Sequence, residues 1–364
     1  MPMKKSTFKL GFGLSLLSLA AILFSFRPLT NGSNTGMPAP MDDYSFVVFG
    51  CNRVENADTV GNASTANVYQ LTRMFDEIAA MNPLPKFLFV TGDLIIGYEK
   101  DTVRLAREYQ SWIKLYKASA LAKTPVKVIC MPGNHESDQK INGKKVPVAV
   151  AERVFVREMK DFIVGENGPK ITGQVAGTDS LTTDQRKLTY SFDYGKDHFV
   201  VINTDPVGLD SRVAWHWIKA DVQKAHKNGA RNIFTFGHKP AYTSTLKKGV
   251  STDGLDNYTA TRDSFWTSLE NVNAVGMLVA HNHLWDAFQP HVGKTWQVIA
   301  GNAGSKLEKV WASTPHAYFG YTVISVAKQG TVELNSYGRD IDTANYNLPT
   351  PKNPTTLRKT LHLK

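Results

Sequence analysis

Short apolar runs recur along this chain, and each is followed by a turn rich in glycine and small polar residues. The runs are five or six residues long and carry β-branched or aromatic side chains, which is typical of buried strands. The clearest examples are Ser45–Phe49, Lys86–Val90, Pro125–Cys130, Asn232–Phe236 and Ala274–Val279. Segments with apolar residues at helical spacing separate the first three, over Thr65–Ala80 and Val103–Leu121. This alternation predicts a parallel sheet with right-handed crossovers.

The turns after these runs carry chemically related side chains. Four of these turns carry Asp, Asn or His side chains. They are Thr91-Gly92-Asp93, Asn134-His135-Glu136, Gly237-His238 and His281-Asn282-His283. Strand ends are where α/β proteins place their chemistry, and carboxylate, amide and imidazole groups together supply mixed oxygen and nitrogen ligands. We therefore expect one metal site assembled from distant parts of the sequence. His281 and His283 alternate on a segment predicted to be extended, which would point both side chains to one side.

The rest of the chain adds elements around these runs. Ser137–Lys187 is predicted to be an insertion around one helix near Val148–Phe162, and a polar tail after Tyr337 is predicted to wrap the surface. Trp215 and Trp217, on a predicted helix, are expected to divide between core and surface. Further elements are a hairpin over Leu188–Tyr194 and His198–Asn203, helices over Ser211–Lys227 and Ser264–Glu270, and closing strands of a second sheet at Trp296–Ala300, Tyr321–Val326 and Thr331–Ser336.

The amino-terminal segment has the pattern of a targeting signal. Lys4 and Lys5 precede an apolar run, Leu10–Phe26, that ends at Arg27-Pro28. The run lacks a clear small-x-small cleavage site, so a cleaved signal and an uncleaved anchor both remain open. The predicted organisation is a signal peptide or anchor over 1–29, a linker over 30–43, one domain over 44–340 and a tail over 341–364. We accordingly expect an exported protein, periplasmic, extracellular or anchored in a membrane and facing outward.

The amino-acid composition and net charge limit the kinds of molecule that this chain is expected to bind. Hydrophobic residues make up 42% of the 364 residues and charged residues 20%, which are values of a globular protein. The net charge of +10 fits a solvated basic surface or attraction of anionic partners. No Arg/Lys tract is interleaved with aromatic residues, so no nucleic-acid partner is expected. The two cysteines, Cys51 and Cys130, cannot form a disulfide framework, and Cys130 within its strand is predicted to be an inert core thiol.

The order of the four polar turns resembles the calcineurin-like metallophosphoesterases, and most of all their purple acid phosphatase branch. The resemblance runs from about Phe46 to Ser336, and the supporting stretches are Tyr190–Gly195, His198–Val201, Trp217-Ile218, Phe236–Pro240 and Ala300–Gly304. It implies a four-layer α/β/β/α sandwich of two mixed β-sheets flanked by helices. It also implies a site for one or two divalent or trivalent metal ions, such as Fe, Zn or Mn, and a phosphate-ester substrate.

The resemblance assigns roles position by position. Asp93 would bridge two metals, Asn134, His238 and His281 would complete the shell of the second metal, and His283 would bind the first. His135 would lie above the cleft and either donate a proton to the leaving alkoxide or stabilise the phosphoryl oxygens. Glu136 is expected to fix the loop rather than take part in chemistry.

One block departs from the family pattern. Where the family has Gly-Asp-x-His, with Asp and His binding the first metal, this chain reads Gly50-Cys51-Asn52-Arg53. Arg cannot bind a metal because its guanidinium stays protonated, whereas Cys51 can bind as a thiolate. Three interpretations remain open: a two-metal site with Cys51 as a ligand, a one-metal site in which Arg53 supplies the missing positive charge, or a non-catalytic relic. Tyr98 follows Asp93 where the purple acid branch has a tyrosine, but its spacing does not establish equivalence.

The predicted function is therefore hydrolysis of phosphate mono- or diesters outside the cytoplasm by metal-activated water. The alternative is a single-metal or non-catalytic binding protein that has lost the Asp-x-His ligands of the first site. A third hypothesis, that the protein is a structural domain attached to a membrane, is supported only by the amino-terminal segment.

Overall fold

The computed structural model of the protein describes residues 43–55, 68–247, 254–315, 317–341 and 353–364. The predicted signal segment, and the linker up to residue 42, lie outside these residues. Among the described residues, no helix is long and apolar enough to cross a membrane.

Fourteen strands and seven α-helices make up the described part of the chain. The strands are β1 (Tyr44–Phe49), β2 (Phe87–Thr91), β3 (Lys127–Met131), β4 (Asp138–Ile141), β5 (Lys144–Pro147), β6 (Tyr190–Tyr194), β7 (Asp197–Val201), β8 (Asn232–Phe236), β9 (Gly276–Val279), β10 (Trp285–Phe288), β11 (Trp296–Ala300), β12 (Tyr318–Val326), β13 (Val332–Asp340) and β14 (Thr356–His362). The helices are α1 (Val68–Ala79), α2 (Thr102–Ala118), α3 (Asn134–Ser137), α4 (Ala149–Glu158), α5 (Trp215–Lys227), α6 (Thr259–Glu270) and α7 (Lys309–Ala312).

The strands form two six-stranded mixed sheets and one separate hairpin. The first sheet has the order β14-β13-β12-β1-β2-β3, and the second has the order β10-β11-β9-β8-β7-β6. Strands β1, β2 and β3 are parallel in the first sheet, as are β7, β8, β9 and β11 in the second. The loops that supply the candidate site follow the carboxyl ends of five of these strands, β1, β2, β3, β8 and β9.

Side-chain alternation along the strands creates the layers of the sandwich. In β1, Phe46 and Val48 face the second sheet, while Val47 and Phe49 face helices on the outside. Aromatic rings fill the space between the sheets, and the rings of Phe89 and Phe236 stack with centroids 3.8 Å apart. Helices α1, α2 and α4 cover the first sheet, and α5 and α6 cover the second. The predicted four-layer α/β/β/α sandwich of two mixed sheets is confirmed.

Several sequence predictions are wrong in detail. Strands β12 and β13 were predicted in the second sheet, but β12 pairs antiparallel with β1 and so belongs to the first. The tail after Tyr337 was predicted to be a surface wrap, yet β13 continues through it and β14 pairs with β13 as an edge strand. The insertion holds the β4–β5 hairpin as well as its helix. Trp215 and Trp217 do not divide between core and surface, because both are half-buried beside the same core.

Candidate metal centre

The loops after β2, β3, β8 and β9 bring four predicted ligands together. Nε2 of His238 lies 3.0 Å from Oδ1 of Asp93 and 3.0 Å from Oδ1 of Asn134. Nδ1 of His281 lies 2.9 Å from the same Asn134 oxygen and 3.2 Å from Nε2 of His238. These residues come from both sheets, so the site lies where the two sets of strand ends meet.

Hydrogen bonds on the far side of the ligands fix their orientation. Nδ1 of His238 donates to the carbonyl oxygen of Thr91 at 2.8 Å, which directs its Nε2 toward Asp93 and Asn134. The side-chain nitrogen of Asn134 contacts the hydroxyl of Tyr98, so its amide oxygen is the atom presented to the histidines. The two contacts thus leave Nε2 of His238 and Oδ1 of Asn134 facing each other at 3.0 Å.

The charge of Asp93 favours a cation at this point. Burial alone raises the pKa of Asp93, but His135, His238 and Arg53 outweigh it and hold that pKa well below its ordinary value. Burial, together with the charge of His238, keeps the pKa of His281 well below its ordinary value, so this imidazole is neutral, as a metal ligand must be. Burial lowers the pKa of His238, but Asp93 outweighs it and raises that pKa. The buried carboxylate thus draws positive charge to this point.

The donor set fits a bound metal ion. A proton on Nε2 of His238 can satisfy only one of its contacts, whereas a cation at the centre satisfies all four acceptor atoms at once. Metal–ligand bonds of about 2.0–2.2 Å put neighbouring ligand atoms roughly 3 Å apart, which matches the separations of 2.9–3.2 Å found here. The residues predicted for the second metal therefore form a coherent ligand set.

Glu136 holds the loops around this point, as the sequence predicts. Its Oε2 accepts hydrogen bonds from the backbone N–H groups of Asp93 at 2.8 Å and Gly133 at 2.7 Å, and its Oε1 accepts from Ile95 at 3.0 Å. One buried carboxylate thus joins the β2 loop to the β3 loop.

Two glycines in the predicted turns are required by close packing. Gly92 has a φ of +84°, and a Cβ there would lie 2.5 Å from Nδ1 of His238. A Cβ on Gly133 would lie 2.6 Å from Oδ1 of Asp93. Any side chain at either position would displace a ligand. The glycines therefore serve the site as well as the turns.

Backbone strain is concentrated in the same loops. Of the nine non-glycine residues with positive φ among the described residues, five lie in or beside the site. They are Cys51, Arg53, Asp93, Tyr98 and His281. Such conformations cost about 1–3 kcal/mol each and occur mainly at functional sites. The positive φ of His281 also shows that His281-Asn282-His283 is bent rather than extended, although both imidazoles reach the site.

The block Gly50-Cys51-Asn52-Arg53 places a guanidinium against the carboxylate of Asp93. Nε and Nη2 of Arg53 donate to Oδ2 of Asp93 at 3.0 and 2.9 Å. The Arg53 side chain keeps 18% of its surface exposed, while that of Asp93 is fully buried. Nη1 of Arg53 makes no hydrogen bond to any described residue. Arg53 therefore neutralises the oxygen of Asp93 that the second-metal ligands leave unused.

Cys51 and His283 flank the same carboxylate. A sulfur of Cys51, a nitrogen of His283 and an oxygen of Asp93 all lie within 4.8 Å of one another. Nδ1 of His283 bonds to the Lys306 carbonyl at 2.6 Å, and its buried Nε2 has no hydrogen-bond partner among the described residues. Burial and Asp93 raise the pKa of Cys51 well above its ordinary value, so without an ion it is a neutral thiol. Three potential ligands thus remain here, with Arg53 competing for the carboxylate.

His135 and Tyr98 pack against each other on one side of Asp93. Nδ1 of His135 bonds to the Ile96 carbonyl, and its Nε2 lies 3.7 Å from Oδ2 of Asp93. Burial lowers the pKa of His135 to about 3 despite the opposing effect of Asp93. The neutral ring therefore presents Nε2 as an acceptor, and the proton-donor role requires it to take up a second proton first. The Tyr98 and His135 rings lie 4.1 Å apart, and burial raises the pKa of Tyr98, so it is a phenol here.

Comparison with known proteins agrees with this geometry. The family model of the calcineurin-like phosphoesterases matches residues 56–285, which is more than half of the chain. The chain belongs to the calcineurin-like phosphoesterase family. The matched residues begin just after Arg53, so they include the four polar turns but not the altered first block.

Individual relatives of this chain are distant. "Probable inactive purple acid phosphatase 9" of Arabidopsis thaliana is 27% identical over 163 residues, which is 41% of this chain and 23% of that relative. Among solved structures, a purple acid phosphatase from yellow lupin (Lupinus luteus) seeds has a TM-score of 0.58 at 13% identity, covering 83% of this chain and 53% of its own. PhoD has a TM-score of 0.58 at 13% identity, covering 89% and 70%. A dimetal phosphatase from Danio rerio has a TM-score of 0.52 at 11% identity, covering 87% and 99%. These structures establish the fold.

Sequence reasoning missed a buried cluster of charged residues beside the candidate metal site. Nζ of Lys239 lies 2.6 Å from Oδ1 of Asp205 and 2.9 Å from Oδ1 of Asp210. Lys239 directly follows His238, so the cluster anchors the β8 loop to the segment after β7. Thr204-Asp205 comes soon after the end of β7, and the rule that polar residues follow strands would have found it.

Proposed function

We propose that this protein is an exported metal-dependent phosphoesterase that hydrolyses phosphate mono- or diesters. The observation that carries the proposal is the convergence of Asp93, Asn134, His238 and His281 at donor separations of 2.9–3.2 Å. These four residues would hold one divalent ion tightly. Bound there, the ion would supply positive charge to the ester oxygens and lower the pKa of a water molecule.

Arg53 supplies positive charge at the other oxygen of Asp93. Two of its nitrogens bind that carboxylate, and its side chain is partly exposed, so Nη1, which has no hydrogen-bond partner among the described residues, would donate to a phosphoryl oxygen. A guanidinium at this position stabilises negative charge but cannot ionise water. We therefore favour a one-metal enzyme in which Arg53 takes part in binding the phosphoryl group.

His135 would act as a proton donor or hydrogen-bond acceptor toward the substrate. Its tautomer is fixed by the Ile96 carbonyl, so Nε2 is the atom that reaches the substrate. In the neutral state Nε2 accepts a hydrogen bond, and after protonation it can donate to a leaving alkoxide. The negative charge of Asp93 favours that protonation, and burial opposes it.

Metal analysis combined with an aryl-phosphate assay tests the proposal. We expect close to one tightly bound equivalent in the purified protein and turnover that chelation abolishes. Asp93→Asn should lose both the metal and activity, because it removes the charge at the centre of the ligand set. Asp184→Asn, which changes an exposed carboxylate in the same way, serves as the control and should retain both. Turnover by Asp93→Asn after chelation would refute the assignment.

The second candidate is a phosphate-binding protein without turnover. Two observations favour it: Arg53 replaces a ligand of the first metal, and the Arabidopsis thaliana relative is named as probably inactive. A binding protein would hold the metal and inorganic phosphate but hydrolyse no ester. Phosphate binding by calorimetry, measured alongside turnover of the same preparation, separates the two candidates.

Export is the part of the proposal that rests on sequence alone. It is supported by the charged and apolar pattern of residues 1–29, which lie outside the described residues. Fractionation of cells expressing the full chain, compared with a chain that lacks residues 1–29, tests it. Equal cytoplasmic recovery of both chains would refute export.

A further inference from the structure

The starts of the parallel strands form the edge of the sandwich opposite the candidate metal site. Strands β1, β2 and β3 begin there in the first sheet, as do β7 and β8 in the second. These strands are five or six residues long. The edge therefore lies roughly 17–20 Å from the strand ends that carry the metal ligands. We call this edge the strand-start face, and it carries Asp43, Lys86, Lys127, Lys196, Arg231 and Lys328.

Hydrogen bonds hold the charged residues of this face in one surface. The backbone N–H of Arg231 donates to the Lys196 carbonyl at 2.8 Å, and its guanidinium donates to the Lys328 carbonyl. Lys328 in turn donates its backbone N–H to the carboxylate of Asp43 at 2.7 Å. Lys86 donates its backbone N–H to a carbonyl of β1 at 2.8 Å. The two sheets therefore present one continuous surface at this edge.

Lysine side chains dominate the exposed part of the strand-start face. Lys86, Lys196 and Lys328 are exposed, and their ammonium groups make no hydrogen bond or ion pair to any described residue. They are therefore available to a partner outside the chain. Further exposed lysines surround them at Lys123, Lys127, Lys160, Lys224 and Lys227.

Carboxylates are fewer at this edge, and some of them are bound by a basic side chain. Asp197 is buried and accepts a hydrogen bond from Nε of Arg231 at 2.9 Å, while Asp193 lies 2.6 Å from Nδ1 of His198. The lysines outnumber the remaining carboxylates, so this face carries part of the net charge of +10. Among the described residues, those remaining carboxylates are Asp43, Asp76, Asp161 and Glu333.

The amino-terminal segment joins the folded domain at this same face. Strand β1 begins at Tyr44, and the sequence before it contains the apolar run Leu10–Phe26, which predicts a signal or membrane anchor. The linker over residues 30–43 would keep an anchored domain close to the membrane surface. Anionic lipid headgroups attract nearby lysines, and each lysine strengthens binding about five-fold.

We propose that the strand-start face is a membrane-docking surface that binds anionic lipid headgroups through Lys86, Lys196 and Lys328. Docked in this way, the domain turns its metal site away from the membrane. The proposal does not depend on the reaction at that site. The alternative partner for a basic surface is an acidic protein, which the experiment below distinguishes.

Lysine footprinting of the full chain in lipid nanodiscs tests the proposal. The chain is reconstituted in discs of phosphatidylcholine alone and in discs that also contain phosphatidylglycerol, and acylation of each lysine is measured by mass spectrometry. We expect Lys86, Lys196 and Lys328 to be protected in the anionic discs and reactive in the neutral ones, and added salt to remove the protection. Lys100 and Lys309 lie on loops at the metal-site end, are exposed, and should react equally in both discs.

Paired charge reversals separate the effect of this face from that of net charge. Lys86→Glu with Lys196→Glu is compared with the control Lys100→Glu with Lys309→Glu, which changes the net charge equally. The first pair should lower the docking equilibrium, read from the protection of Lys328, by at least about 25-fold. The control pair should leave that protection unchanged. Thermal unfolding of both variants verifies that they are folded.

Two results would overturn the docking surface. One is equal reactivity of Lys328 in neutral and anionic discs, and the other is an equal loss of its protection in both paired variants. Protection by soluble polyglutamate but not by anionic discs would replace the membrane with an acidic protein partner. No measurement here reads turnover, so failure of the docking surface leaves the proposed function intact, and loss of the proposed function leaves the docking surface intact.

Discussion

Replacing Arg53 by methionine tests whether its guanidinium takes the place of the first metal ion of the family pattern. The change keeps most of the side-chain volume but removes the charge and both hydrogen bonds to Asp93. If Arg53 stands in for a metal ion, the variant should be less stable without metal and should gain more than wild type from added metal. The gain follows because removing a positive charge beside Asp93, Cys51 and His283 makes that position more attractive to a second ion.

The size of the effect follows from the burial of the pair. Removing one partner of a buried ion pair costs about 3–5 kcal/mol, because it leaves the other charge unpaired. Here the Asp93 side chain is 0% exposed and that of Arg53 is 18% exposed, so the pair is partly screened by solvent. His238 also remains 3.0 Å from the other Asp93 oxygen. We therefore expect a loss of roughly 2–3 kcal/mol in the presence of chelator.

Chemical denaturation with and without metal measures this loss. Arg186→Met is the control, since it removes an exposed arginine from its contact with Asp184 and should not change stability measurably. Arg53→Lys keeps the charge but not the two-nitrogen contact and should fall between the others. Cys51→Asp combined with Arg53→His restores the family pattern and should bind a second equivalent of metal. The reasoning is refuted if Arg53→Met is as stable as wild type in chelator, or if wild type already holds two equivalents with a spectroscopic signature of thiolate ligation.

Two further predictions concern histidines. His135→Ala should lower kcat by about 10²–10⁴-fold with unchanged metal content, and the loss should shrink for leaving groups that are stable anions; an equal loss across leaving groups would mean that His135 acts as an acceptor or positions phosphate. Burial lowers the pKa of His198, but its contacts with Asp193 at 2.6 Å and Asp221 at 2.9 Å outweigh burial and raise the pKa to about 9. Because the folded pKa is raised, the stabilisation is fully present below about pH 6.5 and is lost as pH rises through about 9. Denaturation of wild type and His198→Asn at pH 6 and 10 should show a difference at pH 6 that largely disappears at pH 10, and equal differences would contradict the assignment.

The parts of the fold that sequence predicts well are those governed by local pattern. Strands β8 and β11 have the predicted bounds, because each is a continuous apolar run between turns. The sheet to which β12 belongs could not be predicted, since its pairing with β1 joins residues nearly the whole domain apart. Strand β14 was missed because its exposed edge position gives it no apolar alternation.

One missed element did carry a local signal. Asn142-Gly143, between the lysines of the β4–β5 hairpin, is the dipeptide preferred in two-residue hairpin turns, and both residues have positive φ. By contrast, nothing local predicts that Arg53 binds Asp93, because forty positions separate them and only the meeting of two strand ends brings them together. The sequence identifies the residue types at the site, and the fold decides their partners.

Cys51 and Arg53 together give the site beside Asp93 the same net charge as the Asp, His and metal ion of the family pattern. In the family pattern this block holds an ion with an Asp and a His, and a divalent cation with one carboxylate leaves one net positive charge. Here burial and Asp93 raise the pKa of Cys51, so the thiol is neutral, and Arg53 supplies one positive charge by itself. Replacing the His by Arg alone would break this balance, because Asp with Arg leaves no net charge, whereas a Cys bound to an ion would be a thiolate and would carry the same charge as the Asp it replaces. On the proposed function, Arg53 would keep the site attractive to a phosphate ester, and activation of water would fall to an ion held by Asp93, Asn134, His238 and His281.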